Sequence, residues 1–486
     1  MDPKDHKHLG KLPEQLGEVV GEVVGEVVLG PPKDDEGYDK GLKSRHVQMI
    51  AFGGAIGVGL FLGSAARLQA AGPGLVLAYA AAGIAAFFVM RALGELVLHR
   101  PTAGSFVAYA REFVGPGAAF ACGWMYWVNW AMTGIAEITA AGTYVQYWLP
   151  DLPQWVTALA ALGILLGVNL LSVKIFGELE FWFSLLKVIA IVTFLCVGLA
   201  LVLTRAGVGP TDHAGVSNLT DHGGFLPRGF GVVLMSLQAV IFAYAAVELV
   251  GIAAGETEHP RKILPKAINS VIWRIAIFYV GSILLLVMVL PWTEYHSGES
   301  PFVTVFAAIG VPGAGSIMNL VVLTAAMSSC NSGLYATGRI LRSMSDNGEA
   351  PRFTGLMSAR RIPYGGVLFT AAVYLLGVGL NAILPAQAFV IATSIASLGV
   401  LSTWATLLYC QIRLRAAAGR GELERPSFRM PGAPWTAYGT LAFLGLVVVL
   451  MAFDHDQRVA VWSVPVIALA IWLGWRAVKS RRPAIG

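Results

Sequence analysis

The sequence predicts an all-α polytopic membrane protein with twelve transmembrane helices. Apolar residues fill 56% of its 486 positions and charged residues 13%, whereas about 25% of a soluble domain is charged. Apolar segments of spanning length, about 20 residues each, recur from residue 47 onward. Basic residues collect in alternate loops, as they do in polytopic membrane proteins. This pattern leaves no room for a large soluble domain.

Apolar windows of spanning length place the segments in order along the chain. The predicted spans are 47–70, 73–98, 117–148, 154–173, 178–204, 229–254, 266–291, 314–343, 365–384, 388–412, 435–453 and 459–478. Because five is odd, spans 1–5 and 6–10 would have opposite orientations, so a 5+5 inverted repeat is geometrically available. Spans 11 and 12 are two extra helices outside the repeat.

The distribution of basic residues orients the chain. With the N-terminus inside, the termini and even-numbered loops carry most of the arginine and lysine, whereas the opposite loops offer only Arg205, Arg228 and Arg458. The positive-inside rule then places both termini in the cytoplasm of a multi-pass plasma membrane protein. The same distribution accounts for the net charge of +5 without a nucleic acid partner.

These boundaries give a predicted organisation in six parts. The first 45 residues are charged and lack the apolar core of a signal peptide. The parts are a disordered cytoplasmic tail at 1–45, a first five-helix repeat at 46–204, an extracellular loop at 205–228, a second five-helix repeat at 229–412, a cytoplasmic loop at 413–434, and helices 11 and 12 with the cytoplasmic C-terminus at 435–486.

Spans 1 and 6 are predicted to be broken near mid-membrane. Residues 53–59 hold four glycines, and residues 242–248 occupy the matching place in the second half. A spanning helix unwinds only beside a cavity or buried protein. Two such interruptions in corresponding positions indicate a transporter's substrate site, which favours the transport of a small zwitterion.

The ends of the broken helices suit the two charges of a zwitterion. A half-helix restarting at Gly57 presents backbone N–H groups, a receptor for a carboxylate, although small residues also serve close helix packing. Carbonyl groups at the end of the first half of span 6 suit an ammonium group. The candidates are the carbonyls of Phe242, Ala243 and Ala245 in span 6, together with the carbonyl of Ala55 in span 1. The rings of Phe242 and Tyr244 are candidate gates, with ordinary packing as the alternative.

Three ionisable residues lie inside predicted spans. Lys187 is about nine residues into span 5, or roughly 14 Å of helix rise, while Glu137 lies mid-span 3 and Glu248 follows the break in span 6. Such residues are costly in a membrane and mark ion or proton pathways. They are the candidates for proton coupling. Each has an alternative role. Lys187 could be a permanently charged structural tether, and Glu137 could pair with a cation. Glu248 could accept hydrogen bonds from backbone N–H groups or contact a substrate amine.

Several stretches resemble a known family. The strings at 53–61, 91–95 and 242–248 look like the amino acid–polyamine–organocation superfamily, and more narrowly its bacterial amino acid transporter family. The resemblance runs from about 38 to 480. It implies that the amides of Gly57, Val58 and Gly59 hold the substrate carboxylate, and that an amine on span 5 replaces the sodium ion of related transporters.

The resemblance also implies import of a neutral polar L-amino acid by proton symport with alternating access, with L-asparagine as the expected substrate. Alanine, glycine, γ-aminobutyrate or an aromatic amino acid remain alternative substrates. Exchange or facilitated diffusion is an alternative mode of transport, and a non-transporting amino acid sensor is a remote one. The expected partners are the amino acid and the lipid bilayer, with no nucleic acid and no obligate protein partner.

Polar side chains on spans 3 and 8 are candidates for the substrate's side-chain amide. The three chosen are Asn129, Thr133 and Ser328, each with a helix–helix hydrogen bond as the alternative. Arg91 and Glu95 are four residues apart on span 2, which favours an intrahelical ion pair.

The motifs of enzymes are missing from the sequence. It has no phosphate-binding loop, no Gly-x-Ser-x-Gly elbow and no pair of histidines at metal spacing outside the tail. The four cysteines lie in apolar segments, so no disulfide framework is implied. We therefore expect no enzyme, no metal and no cofactor, with H⁺ as the coupling ion.

Overall fold

The computed structural model describes residues 49, 56–102, 105–171, 173–209, 213–249, 251, 260–359, 361–454 and 457–481. Within these ranges the chain forms helices and no strand. Eight helical stretches are long and apolar enough to cross a membrane. The protein is therefore an all-helical polytopic membrane protein. The predicted tail at 1–45 lies outside the described residues.

The first half of the described chain contains seven α-helices. A 3-10 turn at Gly72–Gly74 separates the second from the third, and Gly72 there adopts φ +63°. The helices are α1 (Val58–Phe61), α2 (Gly63–Ala71), α3 (Leu75–His99), α4 (Ser105–Phe113), α5 (Pro116–Gln146), α6 (Gln154–Leu171) and α7 (Val173–Thr204).

The described residues of the second half form nine more α-helices. A π-helical segment, Ile275–Gly281, joins two of them into one long apolar stretch. The helices are α8 (Phe230–Ala243), α9 (Pro260–Arg274), α10 (Ser282–Val289), α11 (Pro301–Ala308), α12 (Ala314–Asp346), α13 (Tyr364–Ile383), α14 (Pro385–Gly419), α15 (Trp435–Phe453) and α16 (Arg458–Arg481).

Helix lies within every one of the twelve predicted ranges. The eight candidate spans are fewer for three reasons: 58–99 counts as one stretch, α6 and α8 are short for a full crossing, and α5, in the predicted span 117–148, is not among the eight. The count of twelve crossings and the inverted repeat remain predictions.

Helix α5 lies at the centre of the packing. It makes its most extensive contacts with α14 and α12, and most of its residues from Asn129 to Ala141 are buried. Helix α16 is peripheral and exposes large apolar side chains, among them Trp462, Val466 and Leu469. Apolar side chains turned outward on this scale suit contact with lipid rather than water.

The expected intrahelical pair between Arg91 and Glu95 is wrong. Arg91 donates to Asn269 Oδ1 at 2.6 Å and lies 3.7 Å over the ring of Phe428. Glu95 is fully buried and accepts a hydrogen bond from Arg425 Nε at 2.6 Å. Tertiary partners on α9 and in the loop after α14 satisfy both charges better than an exposed pair on one helix, which gains little.

Candidate functional site

Span 1 begins its described helix at the predicted glycines. Gly57 is extended, with φ −126° and ψ −167°, and α1 starts at Val58. The axis is disturbed again at Leu62, between α1 and α2. The first N–H groups of a helix have no acceptor inside it, so Gly57, Val58 and Gly59 lie where a carboxylate receptor was predicted. Ala55 lies outside the described residues.

Span 6 stops at the place predicted from the second half. Helix α8 ends at Ala243, and Ala246 adopts φ +71°, a left-handed conformation that ordinary side chains seldom take. The carbonyl of Phe242 already accepts a hydrogen bond from the N–H of Ala245 at 3.0 Å. Its second lone pair leaves capacity for another donor.

The two interruptions touch each other. A Cβ atom added at Gly59 would lie 2.6 Å from Ala243 Cα and 3.0 Å from Phe242 Cδ1. Only a glycine fits this approach, because the nearest obstacle is backbone. Spans from opposite halves of the chain therefore meet at their breaks.

A cavity of about 310 Å³ opens above this contact. Gly59 and Phe242 line it, together with Thr139 of α5 and Ser397 of α14. It extends past Arg67 to Gln154, Ser297 and Pro385, residues at or next to the helix ends that the charge pattern assigned to the extracellular side. Phe242 thus lies where a gating ring is expected.

Tyr244 is placed away from this cavity. Its hydroxyl donates to the carbonyl of Tyr79 at 2.7 Å, and its ring stacks on Tyr279 with centroids 4.6 Å apart. The ring packs α3 against the π-helical segment and lines none of the described cavity. This placement supports the packing alternative for Tyr244.

The three predicted amide ligands also lie elsewhere. Thr133 donates to Asn129 Oδ1 at 3.3 Å, and both side chains are buried. Ser328 donates to Glu180 Oε1 at 2.7 Å. These are hydrogen bonds between or within helices, the alternative role given for these three residues, and none of the three lines the cavity.

Sequence reasoning missed the polar face that does line the cavity. Thr139, Thr143 and Gln146 of α5 all contribute, and their spacings of four and three place them on one helix face. Thr393 and Ser397 form a similar pair on α14. The periodic spacing of these polar residues was the signal that could have identified them.

A group of ionisable side chains lies behind the start of α1. Glu137 faces the N–H of Val58 and the hydroxyl of Ser329, and its Oε1 lies 3.1 Å from where a Cβ at Gly57 would be. Lys187 interacts electrostatically with Glu180 and Glu137. Glu137 is 2% exposed and both Lys187 and Glu180 are fully buried. We call Glu137, Glu180 and Lys187 the buried ionic group.

Glu180 is the member of this group that the sequence did not single out. It shares one face of α7 with Ser184 and Lys187, at spacings of four and three. Its Oε1 accepts hydrogen bonds from Ser184 at 3.3 Å and from Ser328 at 2.7 Å. The group therefore joins α5, α7 and α12 around one cluster of charge.

Glu248 forms a separate buried carboxylate. It is fully buried, and neither oxygen makes a hydrogen bond of normal geometry to a described residue. The indole of Trp404 and the backbone of Ala246 lie beside it. The structure does not bring Glu248 into the buried ionic group.

Comparison with known proteins places the chain in a family. The amino acid permease family matches residues 46–484. The chain is 56% identical to an L-asparagine permease of Streptomyces coelicolor over 451 residues, or 92% of each chain. It is 55% identical to that of Salmonella typhimurium and 54% identical to that of Escherichia coli, each over 92% of this chain and 90% of the relative.

These relatives are permeases and not enzymes, and the match covers the broken helices and the cavity. This match and the apolar helices together show that the protein is embedded in a membrane and takes part in amino acid transport. The chain belongs to the amino acid permease family.

Proposed function

We propose that this permease imports L-asparagine across the plasma membrane by proton symport, with alternating access. Relatives that are 54–56% identical over nine-tenths of the chain are L-asparagine permeases, which supports the substrate. A neutral polar side chain also fits the hydroxyl groups of Thr139 and Ser397 in the cavity. These groups donate and accept, as an amide requires.

The proposed architecture has twelve spans, with both termini in the cytoplasm. Spans 1–5, within 46–204, and spans 6–10, within 229–412, form the inverted repeat. The contact between Gly59 and Ala243 supports this arrangement, because the first helix of each half is interrupted at the point where the two meet.

In this mechanism the substrate bridges the broken helices. Its carboxylate binds the amides of Gly57, Val58 and Gly59, and its ammonium group binds the carbonyls of Ala55, Phe242, Ala243 and Ala245. The ring of Phe242 then closes above it. Substrate binding favours the occluded state by contacting both helices at once.

Glu137 links this binding to protons. Its carboxylate faces the N–H of Val58, the same donor that the substrate carboxylate requires. Two carboxylates at one amide repel each other, so a proton on Glu137 removes the competition and lets the substrate bind.

The buried ionic group is the observation that carries the proposal. Among the described residues of this group, two carboxylates and one ammonium give one more negative than positive charge in a buried place, where unpaired charge is costly. One proton neutralises the group. Lys187 holds the two carboxylates together. Glu248, buried and without a hydrogen bond of normal geometry to a described residue, is a second acceptor on span 6.

Uptake of labelled L-asparagine into proteoliposomes, with and without an inward proton gradient, tests the proposal. We expect accumulation that follows the gradient and is blocked best by unlabelled L-asparagine. Lys187→Met should abolish accumulation while still binding substrate. Full gradient-driven uptake by this variant would contradict coupling through Lys187, and stronger competition by alanine or γ-aminobutyrate would reassign the substrate.

A further inference from the structure

The outer part of the cavity contains a cation that the proposed mechanism does not use. Arg67 is the one charged side chain among the described residues lining this cavity. It lies eight residues beyond Gly59, or about 12 Å of helix rise. Phe242 lines the cavity nearer to the broken helices. Arg67 is thus separated from the amides proposed to hold the substrate.

Most donors of Arg67 are unused within the described chain. A guanidinium group carries five N–H donors, yet no hydrogen bond from Arg67 reaches a described residue. Its ionic partner, Asp454 Oδ2, lies 3.6 Å from Nη1, well beyond the roughly 2.8 Å of a charge-assisted hydrogen bond. The side chain is 16% exposed, so it is largely enclosed but still open to the cavity.

Asp454 is held by other partners. Its Oδ2 accepts a hydrogen bond from the side chain of Gln238, and its Oδ1 accepts one from the N–H of Gln457 at 3.2 Å. The carboxylate therefore cannot turn to form two parallel hydrogen bonds with Arg67 without losing these contacts. Asp454 therefore holds the guanidinium by an ionic contact and leaves the N–H donors of Arg67 available to a ligand.

A second observation also indicates a ligand at this place. Gln457 lines the cavity and is 2% exposed, yet its Oε1 has no hydrogen bond partner among the described residues. A buried acceptor without a partner costs free energy. A ligand that brings both a carboxylate for Arg67 and an N–H donor for Gln457 would satisfy both groups.

We propose that this outer part of the cavity is a second binding site for a zwitterionic α-amino acid, with its carboxylate on Arg67 and an amine or amide N–H on Gln457. The site holds a substrate molecule above Phe242 before that molecule reaches the broken helices. This inference rests on the proposed function for its ligand, L-asparagine. The whole cavity, of which this site is the outer part, has a volume of about 310 Å³, at the lower end of the range for small-molecule sites.

Equilibrium binding of labelled L-asparagine to the purified full chain in lipid nanodiscs tests the site. The wild type should bind two molecules per chain, and Arg67→Gln should bind one. Arg228→Gln is the matched control, because it removes the same charge from a residue that lies against Trp292 and outside the cavity. It should still bind two. In uptake, Arg67→Gln should raise KM about tenfold, as expected for the loss of one charge-assisted hydrogen bond.

The outcomes separate this inference from the proposed function. One molecule per wild-type chain overturns the second site and leaves the transport of L-asparagine standing. Two molecules on Arg67→Gln also overturn it. No binding to the wild type removes both the substrate assignment and this inference. If Arg67→Gln binds no L-asparagine at all, the affinity of Arg67→Lys decides. A second site whose affinity is about tenfold weaker than in the wild type supports the proposal, and a second site of unchanged affinity refutes it.

Discussion

Gly59 shows how one missing side chain sets the geometry of the site. Its Cα faces the backbone of Ala243 so closely that an added Cβ would lie 2.6 Å from the nearest atom. Backbone cannot rotate away as a flexible side chain can. The contact between spans 1 and 6 therefore depends on glycine at this position, independently of any role of its amide.

Gly59→Ala should destabilise the protein and reduce transport. Overpacking of this kind costs about 1–3 kcal/mol, because one of the two helices must move. Gly63→Ala is the matched control on the same span, since its Cβ would meet only Val58 O at 3.8 Å. Thermal unfolding and uptake should both distinguish the variants. Equal melting temperatures for the two would contradict the proposed close contact.

Single residues differ in how far the sequence reveals them. Lys187 and Glu137 are conspicuous because charges are rare in mid-span. Glu180 lies near the predicted start of span 5, where a charge is ordinary, so the sequence gives no reason to choose it. Asn129 and Tyr244 are polar and aromatic in suitable spans, but which face of a helix meets the cavity depends on tertiary packing.

Among the elements, the end of α3 is held by the segment from Arg425 to Met430, which lies in the loop after α14. Glu95 accepts hydrogen bonds from Arg425 Nε at 2.6 Å and from the N–H of Met430 at 3.0 Å. Phe428 lies under the guanidinium of Arg91. The segment thus ties α3 to a loop that is more than 300 residues away in sequence.

Glu95→Gln should lower the free energy of unfolding by about 2 kcal/mol, the usual contribution of a hydrogen bond to a charged group. Arg425 is 19% exposed and Glu95 is buried, so solvent replaces little of the lost contact. Glu422→Gln is the control from the same loop, because its pair with Arg420 is exposed and its loss should leave the melting temperature unchanged.

A double-mutant cycle with Arg425→Gln completes this test. If the two residues act through each other, the double variant should lose little more than either single variant. Additive losses would mean that the segment is held by other contacts.

Helix positions were more predictable than helix faces. The break in span 1 follows from its glycine content, and the break in span 6 follows from its matching place in the second half of the chain. The polar face of Thr139, Thr143 and Gln146 follows from periodicity, yet α5 is buried on nearly all sides. Periodicity alone could not decide which of its faces meets a cavity and which meets another helix.

For the whole molecule, the positive-inside rule predicts that the mouth of the cavity and the loop after α14 lie on opposite sides of the membrane. Ser297 lines the cavity and is exposed, and it should face the outside. Ser427, exposed in the loop after α14, should face the cytoplasm. Cysteine at position 297 should react with a membrane-impermeant maleimide in intact cells, whereas cysteine at 427 should react only in inside-out vesicles.

The native cysteines suit this labelling. Cys122, Cys330 and Cys410 are buried, and Cys196 is exposed on α7 within a predicted span, so the unmodified chain serves as the control. Labelling at both positions from the same side would refute the predicted orientation.

The buried ionic group also has an electrical consequence. In the proposed symport, the L-asparagine zwitterion carries no net charge, so each proton that reached Glu137 and left on the other side would move one elementary charge through the membrane potential. At about 100 mV this is worth about 2.3 kcal/mol, enough to sustain roughly a fifty-fold concentration difference. The permease would therefore respond to voltage as well as to pH, and its transport cycle would generate a current.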